Sequence, residues 1–114
     1  MKLSYEGIGE WSATFACTGV ENGMVVKMKS ACTVAPCTDG DAFCGVVTYA
    51  ARDAEACAVQ LAGMTTVGYT GAAPAVGWTG LAADGTGGVK TAEGAKSRLV
   101  VDVDQSAKTV TLVL

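Results

Sequence analysis

Apolar and polar residues alternate along much of the chain with a period of two, which is the spacing of a β-strand that has one covered face. From Leu3 to Cys17 the apolar and small residues occupy the odd positions, and polar residues lie between several of them. Residues 21–23 form a turn sequence, and residues 24–29 then resume the alternation. The pattern predicts one or two strands before this turn and a half-buried strand after it.

Three further segments depart from this alternation. Residues 30–42 contain Pro36 and a Thr-Asp-Gly-Asp turn sequence, so we expect them to be mostly loop. Residues 43–49 are almost continuously apolar, which predicts a strand covered on both faces. Residues 50–58 are rich in helix formers but lack an apolar stripe, so they predict a turn, with a single helical turn as the alternative.

The clearest hairpin is predicted at residues 99–114, where two alternating segments flank a polar turn. Another hairpin is expected at residues 59–69, and glycine-rich loops separate the remaining segments. Together these patterns predict an all-β fold, a compact small barrel or sandwich of about nine or ten short strands. The length of 114 residues fits a single domain spanning residues 1–114, in which residues 1–15 are either an N-terminal arm or the first strand.

Composition narrows the range of partners. Half of the residues are hydrophobic, and only 17% are charged, a deficit that favours a surface contacting another protein. The net charge of −3, with scattered basic residues, argues against binding nucleic acid. The sequence contains neither a long apolar segment nor the pattern of a signal peptide, so we expect a protein made in the cytoplasm without a membrane partner.

The chemistry of the chain argues against catalysis. Because the chain has no histidine, it cannot form a Ser-His or Cys-His nucleophile pair, and we expect no enzyme activity. An enzyme that uses Asp, Cys or Lys alone remains open. The acidic turn at residues 39–41 lacks the other ligands of a calcium loop, and the glycine-rich loop at residues 84–88 lacks a complete phosphate-binding motif. Both are interpreted as turns.

The five cysteines are odd in number and include no CxxC pair. With no histidine to share a metal site, they are expected to be thiols in a reducing cytosol. We therefore predict no metal and no cofactor.

Large amphipathic rings are the candidate interaction residues, because such rings are enriched at protein interfaces. Trp11, Tyr69 and Trp78 are the main candidates, although the ordinary expectation is that at least two of these three fill the core. Tyr5 and Phe15 join them if the N-terminal segment is an arm that adds as a strand to a partner's sheet.

From Val20 to Leu114 the order of turns and strands resembles the small capsid decoration and head-fibre-like proteins of tailed bacteriophages and prophages. The segments that carry the resemblance are Gly23-Met24-Val25-Val26, Asp39-Gly40-Asp41-Ala42-Phe43-Cys44-Gly45-Val46-Val47, Val59-Gln60-Leu61-Ala62-Gly63, Gly77-Trp78, Val89-Lys90-Thr91-Ala92, Val100-Val101-Asp102-Val103-Asp104 and Thr109-Val110-Thr111-Leu112.

This resemblance implies a non-catalytic module that binds the major capsid protein lattice at many symmetric points, often as a trimer, and is located on the capsid surface of the virion. Self-association, in the form of a trimer or a weaker contact, is expected with it. The alternative hypothesis is a free-standing cytosolic β-barrel that binds a small ligand or another protein. A deep apolar pocket lined by Trp78 or Tyr69 would favour that alternative.

Overall fold

The computed structural model describes residues 9–52 and 55–114. The described residues form an all-β structure of ten strands, which confirms the predicted fold class. The strands are β1 (Trp11–Cys17), β2 (Val25–Ser30), β3 (Thr33–Pro36), β4 (Gly45–Ala50), β5 (Ala56–Ala62), β6 (Met64–Gly68), β7 (Gly77–Ala83), β8 (Val89–Thr91), β9 (Ser97–Asp104) and β10 (Thr109–Val113). Within the described ranges no helix is long and apolar enough to span a membrane.

The first five strands form a closed barrel in the order β1-β3-β2-β4-β5. Its antiparallel pairs follow from short connections, as between β2 and β3 and between β4 and β5. The barrel closes where β1 meets β3 in parallel, and this seam contains two residue pairs, Ala16 with Thr33 and Cys17 with Val34. The closing seam is therefore short.

The last five strands form a second sheet in the order β6-β10-β9-β7-β8. The predicted C-terminal hairpin is present as β9 and β10. A β-bulge interrupts it, because Thr111 pairs with Asp102 whereas Leu112 pairs with Val100. The extra residue, Val101, changes the phase of the alternation. As a result Val100 is buried in the core, while Leu99 lies on the other face and is only half-buried.

Two hydrophobic clusters fill the structure. The barrel core consists of residues from the barrel half alone: Cys17, Val20, Val26, Val34, Val47, Cys57 and Val59. The inter-sheet core combines residues of both halves: Val25, Cys37, Phe43, Val46, Val67, Tyr69, Leu81, Ala83, Val89, Val100, Val110 and Leu112. The barrel interior is thus filled by its own side chains, and the outer wall of the barrel covers one face of the second sheet.

Strands β2 and β4 lie between these two cores. Val26 and Val47 belong to the barrel core, whereas their neighbours Val25 and Val46 belong to the inter-sheet core. Successive side chains of a strand point to opposite faces, so the first half of each of these strands is covered on both sides. The prediction for residues 43–49 holds as far as Val47, whereas Thr48 and Tyr49 are exposed to solvent.

Three details differ from the sequence-based expectations. The predicted loop at residues 30–42 contains β3, in which Pro36 is tolerated because it is the last residue of the strand. The predicted turn at residues 50–58 gives way to β5 at Ala56, where pairing with β1 and β4 overrides the local helix propensity. Met28 lies near the end of β2 and is 47% exposed, so the alternation there does not bury it.

Candidate interaction surface

The outer face of the second sheet carries a row of apolar side chains. The strand register places Trp78 opposite Leu99, Leu99 opposite Val113, and Val113 opposite Met64. Directly paired residues of antiparallel strands point to the same face of a sheet. Val100 and its partner Leu112 are buried in the inter-sheet core, so the neighbouring pair Leu99 and Val113 points outward. We call Trp78, Leu99, Val113 and Met64 the outer row.

Trp78 is the most exposed member of the outer row, at 75%, and the other three are half-buried. Val76, just before the strand, is 70% exposed. A mostly apolar groove of about 210 Å³ lies beside the indole and is lined by Leu99, Val113 and Leu114, with Lys96 also contributing to its lining. The outer row thus combines a protruding aromatic ring with an adjoining pocket. Protein interfaces commonly pair such an anchor residue and pocket with their counterparts on the partner.

The polar residues next to the outer row are uncharged for the most part. Thr66 and Thr111 pair across β6 and β10, and their hydroxyls are hydrogen-bonded at 2.8 Å. Asp102 lies opposite Thr111 on the neighbouring strand. A face with few charges loses little hydration energy when a partner covers it.

The five candidate interaction residues predicted from the sequence do not form one surface in the structure. Trp78 lies in the outer row, and Trp11 is 57% exposed at the start of β1, opposite Ala62. Phe15 is half-buried and packs against the barrel core. Tyr5 lies outside the described residues.

Tyr69 was wrong as a surface candidate, because its side chain is 5% exposed and belongs to the inter-sheet core. It follows β6 and forms a bridge to Val89, so the tertiary pairing carries its ring inward. Of the three large rings considered together, Tyr69 alone fills the core. The described part of the N-terminal segment, from Trp11 onward, is the first barrel strand.

Sequence reasoning did not identify the other three members of the outer row. Leu99, Val113 and Met64 come from three different strands, and only the pairing register brings them beside Trp78. The alternation in residues 99–103 placed Leu99 on the same face as Val103, which packs against the inter-sheet core, and the bulge at Val101 that moves Leu99 to the opposite face is not visible in the sequence. Tyr49, at 62% exposed, was also missed, and it lies on the barrel away from this row.

A second depression, of about 290 Å³, lies between the turn at residues 21–24 and the loop at residues 84–88. The Asp84 carboxylate accepts hydrogen bonds from the backbone N–H groups of Thr86 at 2.7 Å and Gly88 at 3.1 Å. Burial opposes ionisation of Asp84, but these bonds and the hydroxyls of Thr86 and Thr70 outweigh it and lower its pKa. Asp84 therefore uses the backbone donors that a phosphate would need, in agreement with the interpretation of this loop as a turn.

The acidic turn at residues 39–41 joins the two halves of the molecule. The Asp41 carboxylate accepts a hydrogen bond from Lys27 of the barrel at 2.6 Å, and its backbone carbonyl accepts one from Ala83 of β7 at 2.9 Å. Asp39 forms an ion pair with Lys90 of β8 at 2.8 Å. Among the described residues, no three His, Cys, Asp or Glu side chains come together as a metal site. The acidic residues of this turn have structural partners.

No protein-family model matches this chain, and no curated protein matches it.

Proposed function

We propose that this chain is a non-catalytic structural protein of a tailed bacteriophage or prophage, which attaches to the outside of the capsid and stabilises it. The outer row, with Trp78 exposed on an otherwise well-packed sheet, is the observation that carries the proposal. The choice of partner, the major capsid protein lattice, rests on the resemblance of the sequence pattern to capsid decoration proteins.

The physical support comes from how the apolar surface is distributed. A single exposed hydrophobic residue is ordinary on a soluble protein, but a row that crosses four strands with an adjoining groove is typical of a contact surface. Trp is among the residues that contribute most to binding when its ring is fully covered. The low charge of the chain fits a protein whose working surface is dehydrated on binding.

A capsid presents many symmetry-related copies of the same site. Modest affinity at each copy is sufficient when a module self-associates, because linked contacts multiply the overall affinity. Self-association, as a trimer or more weakly, therefore belongs to the proposal. It predicts a molecular mass in solution that rises with protein concentration toward that of a trimer.

The test is co-sedimentation of the purified chain with expanded capsid shells assembled from a major capsid protein of the same phage or prophage. We expect saturable binding, and we expect Trp78→Ala to weaken binding by about tenfold or more, as loss of a central aromatic anchor does. Trp78→Ala is expected to leave the melting temperature nearly unchanged, because this indole is largely exposed.

Tyr49→Ala is the matched control, since Tyr49 is a comparably exposed ring on the barrel. It should bind the shells as the unaltered protein does. Equal weakening by both substitutions would remove the outer row as the docking surface. Failure of the unaltered protein to bind shells at both low and moderate salt would overturn the capsid proposal itself.

A further inference from the structure

The five cysteines lie in different environments, and two of them are in the same one. Cys17 and Cys57 both belong to the barrel core and are 4% and 2% exposed. Cys37 is in the inter-sheet core, Cys32 is exposed, and Cys44 packs against the barrel core as a half-buried residue. All five are thiols in this structure.

The strand register makes Cys17 and Cys57 neighbours. In the antiparallel pair of β1 and β5, Cys57 lies opposite Phe15, and the N–H of Cys17 donates to the carbonyl of Glu55 at 3.1 Å. The two cysteines are thus diagonal partners, two residues apart in register on one face of the barrel wall. Diagonal partners are about 7–8 Å apart, so a disulfide between them closes when local opening lets the strands shift. Both side chains belong to the barrel core, and the Cys17 thiol is near enough to contribute to the raised pKa of the Cys57 thiol.

We propose that Cys17 and Cys57 are a modification site, at which oxidation closes an intramolecular disulfide within the folded barrel. Two S–H bonds break and one S–S bond forms, while two protons and two electrons leave the pair. The oxidant is a low-molecular-weight disulfide such as oxidised glutathione, which is reduced to two thiols. Exchange proceeds through a mixed disulfide on one cysteine, which the other then displaces.

The barrel contains a route for the oxidant to reach the pair. Cys17 lies in the closing seam between β1 and β3, which contains only two residue pairs. A short seam of this kind is a natural place for local opening, which takes far less free energy than global unfolding. Opening there exposes Cys17 while the antiparallel pairing of β1 with β5 keeps Cys57 beside it.

In the closed barrel the pair is protected from casual reaction. Burial, followed by the contact with Cys17, raises the pKa of the Cys57 thiol to about 12. Since the thiolate is the reactive form, the closed state reacts slowly at neutral pH. Slow, selective closure is therefore the expected behaviour, in contrast to fast reaction at the exposed Cys32.

Disulfide closure has a measurable consequence for stability. The bond encloses a loop of about 40 residues, and restricting the unfolded chain in this way stabilises the native state. For a domain of this size the melting temperature is expected to rise on the order of 10 °C. The pair is in the barrel core, not in the outer row, so its oxidation is independent of docking to a capsid.

The test uses the folded full-length chain, incubated with excess oxidised glutathione and then alkylated under denaturing conditions. Peptide mass spectrometry should find a Cys17–Cys57 linkage, and the melting temperature should rise and then return after reduction. Cys32→Ser is the matched control and should form the same linkage. Cys57→Ala should form no intramolecular disulfide, and its melting temperature should not rise with oxidant.

Two results would overturn the proposal. One is recovery of both Cys17 and Cys57 as thiols after prolonged exposure, with glutathione attached to Cys32 alone. The other is a Cys17–Cys57 linkage that forms only in denaturant and not in the folded protein. Such a linkage would be a property of the unfolded chain and not of the barrel.

Discussion

The barrel and the second sheet are built from the same kind of short strands, yet they present different surfaces. On the barrel the exposed large hydrophobic residues Trp11, Met28 and Tyr49 lie on three different strands, and the register does not bring them together in one cross-strand row. On the second sheet Trp78 belongs to a row that crosses four strands. The barrel has a core of its own, whereas the second sheet has only the core that it shares with the barrel.

This difference indicates a division of roles. The barrel is self-contained, and its wall supports the inner face of the second sheet through Val25, Val46 and Phe43. The second sheet is held on one side and leaves its opposite face available. A rigid support behind an apolar face favours binding, because little conformational entropy remains to be lost when a partner docks.

The largest expected effect on the free energy of unfolding comes from the inter-sheet core. Leu112 is fully buried in it, so Leu112→Ala is expected to lower the free energy of unfolding by about 3 kcal/mol. Val59→Ala, in the barrel core, removes a smaller side chain and is expected to cost about 2 kcal/mol. Urea unfolding followed by circular dichroism and tryptophan fluorescence measures both.

Because β2 and β4 contribute to both cores, each variant should still unfold in one cooperative transition. Val113→Ala, in the half-buried outer row, is the control and should cost less than about 1 kcal/mol. Two separate transitions in Leu112→Ala would show that the halves fold independently and that the shared core does not couple them.

The next effect concerns close packing of backbone in the barrel. A Cβ at Gly45 would lie 2.5 Å from the carbonyl oxygen of Gln60 and 2.6 Å from a methyl of Val59. Gly45→Ala is therefore expected to destabilise the chain by about 2 kcal/mol or more, since the strands β4 and β5 must move apart.

Gly68, in the second sheet, provides the matched comparison. A Cβ there meets nothing closer than the Lys108 carbonyl oxygen at 3.8 Å, so Gly68→Ala should be neutral or slightly stabilising. Thermal unfolding of the two variants side by side measures the difference. Equal destabilisation of the two variants would mean that the steric clash of the added Cβ at Gly45 is not what destabilises Gly45→Ala.

These positions also show what the sequence was able to predict. The period of two identified most strands, and continuous apolarity at residues 43–49 indicated a strand covered on both faces, which holds as far as Val47. Both are local signals, and local signals survive folding when the tertiary structure agrees with them. The β3 strand was missed because Pro36 and the neighbouring turn residues outweigh its two apolar positions.

The candidate surface was less predictable, because it depends on pairing between distant strands. Trp78 and Tyr69 have similar sequence surroundings, with glycines and small residues nearby, yet one is exposed and the other buried. The burial of Tyr69 follows from its bridge to Val89, which no single segment reveals. Likewise the outer row exists only in the register of β7, β9, β10 and β6.

A moderate effect on stability is expected where Arg98 of the second sheet contacts Phe43 of the barrel half. We call this contact, together with the turn at residues 39–41, the joint. Arg98 of β9 is buried, donates a hydrogen bond from Nη2 to the carbonyl oxygen of Phe43 at 3.0 Å, and stacks over the Phe43 ring at 4.8 Å. Arg98→Ala is expected to cost about 1–2 kcal/mol, because it leaves a buried carbonyl without its donor and removes the cation–π contact.

Arg98→Lys keeps the charge but loses the planar group that both stacks and donates, so it should recover only part of this loss. Denaturant unfolding is the measurement. Full recovery by lysine would show that charge alone, and not the geometry of the guanidinium, stabilises the joint.

The smallest effect is the acid dependence that arises from Asp41. The hydrogen bond from Lys27, followed by those from Thr38, lowers the pKa of Asp41 from 3.8 to about 2. A carboxylate whose pKa is lower in the folded state contributes stability above its unfolded pKa and loses that contribution as the pH falls toward the folded value. The contribution of Asp41 is thus present at neutral pH and disappears between about pH 4 and pH 2.

Asp41→Asn should lower the melting temperature by a few degrees at most at pH 7, because the pair is partly exposed to solvent. The two proteins should converge as the pH approaches 2. A constant difference between Asp41→Asn and the unaltered protein from pH 7 down to pH 2 would show that Asp41 stabilises the joint through its neutral hydrogen bonds to Thr38 and not through the ion pair with Lys27.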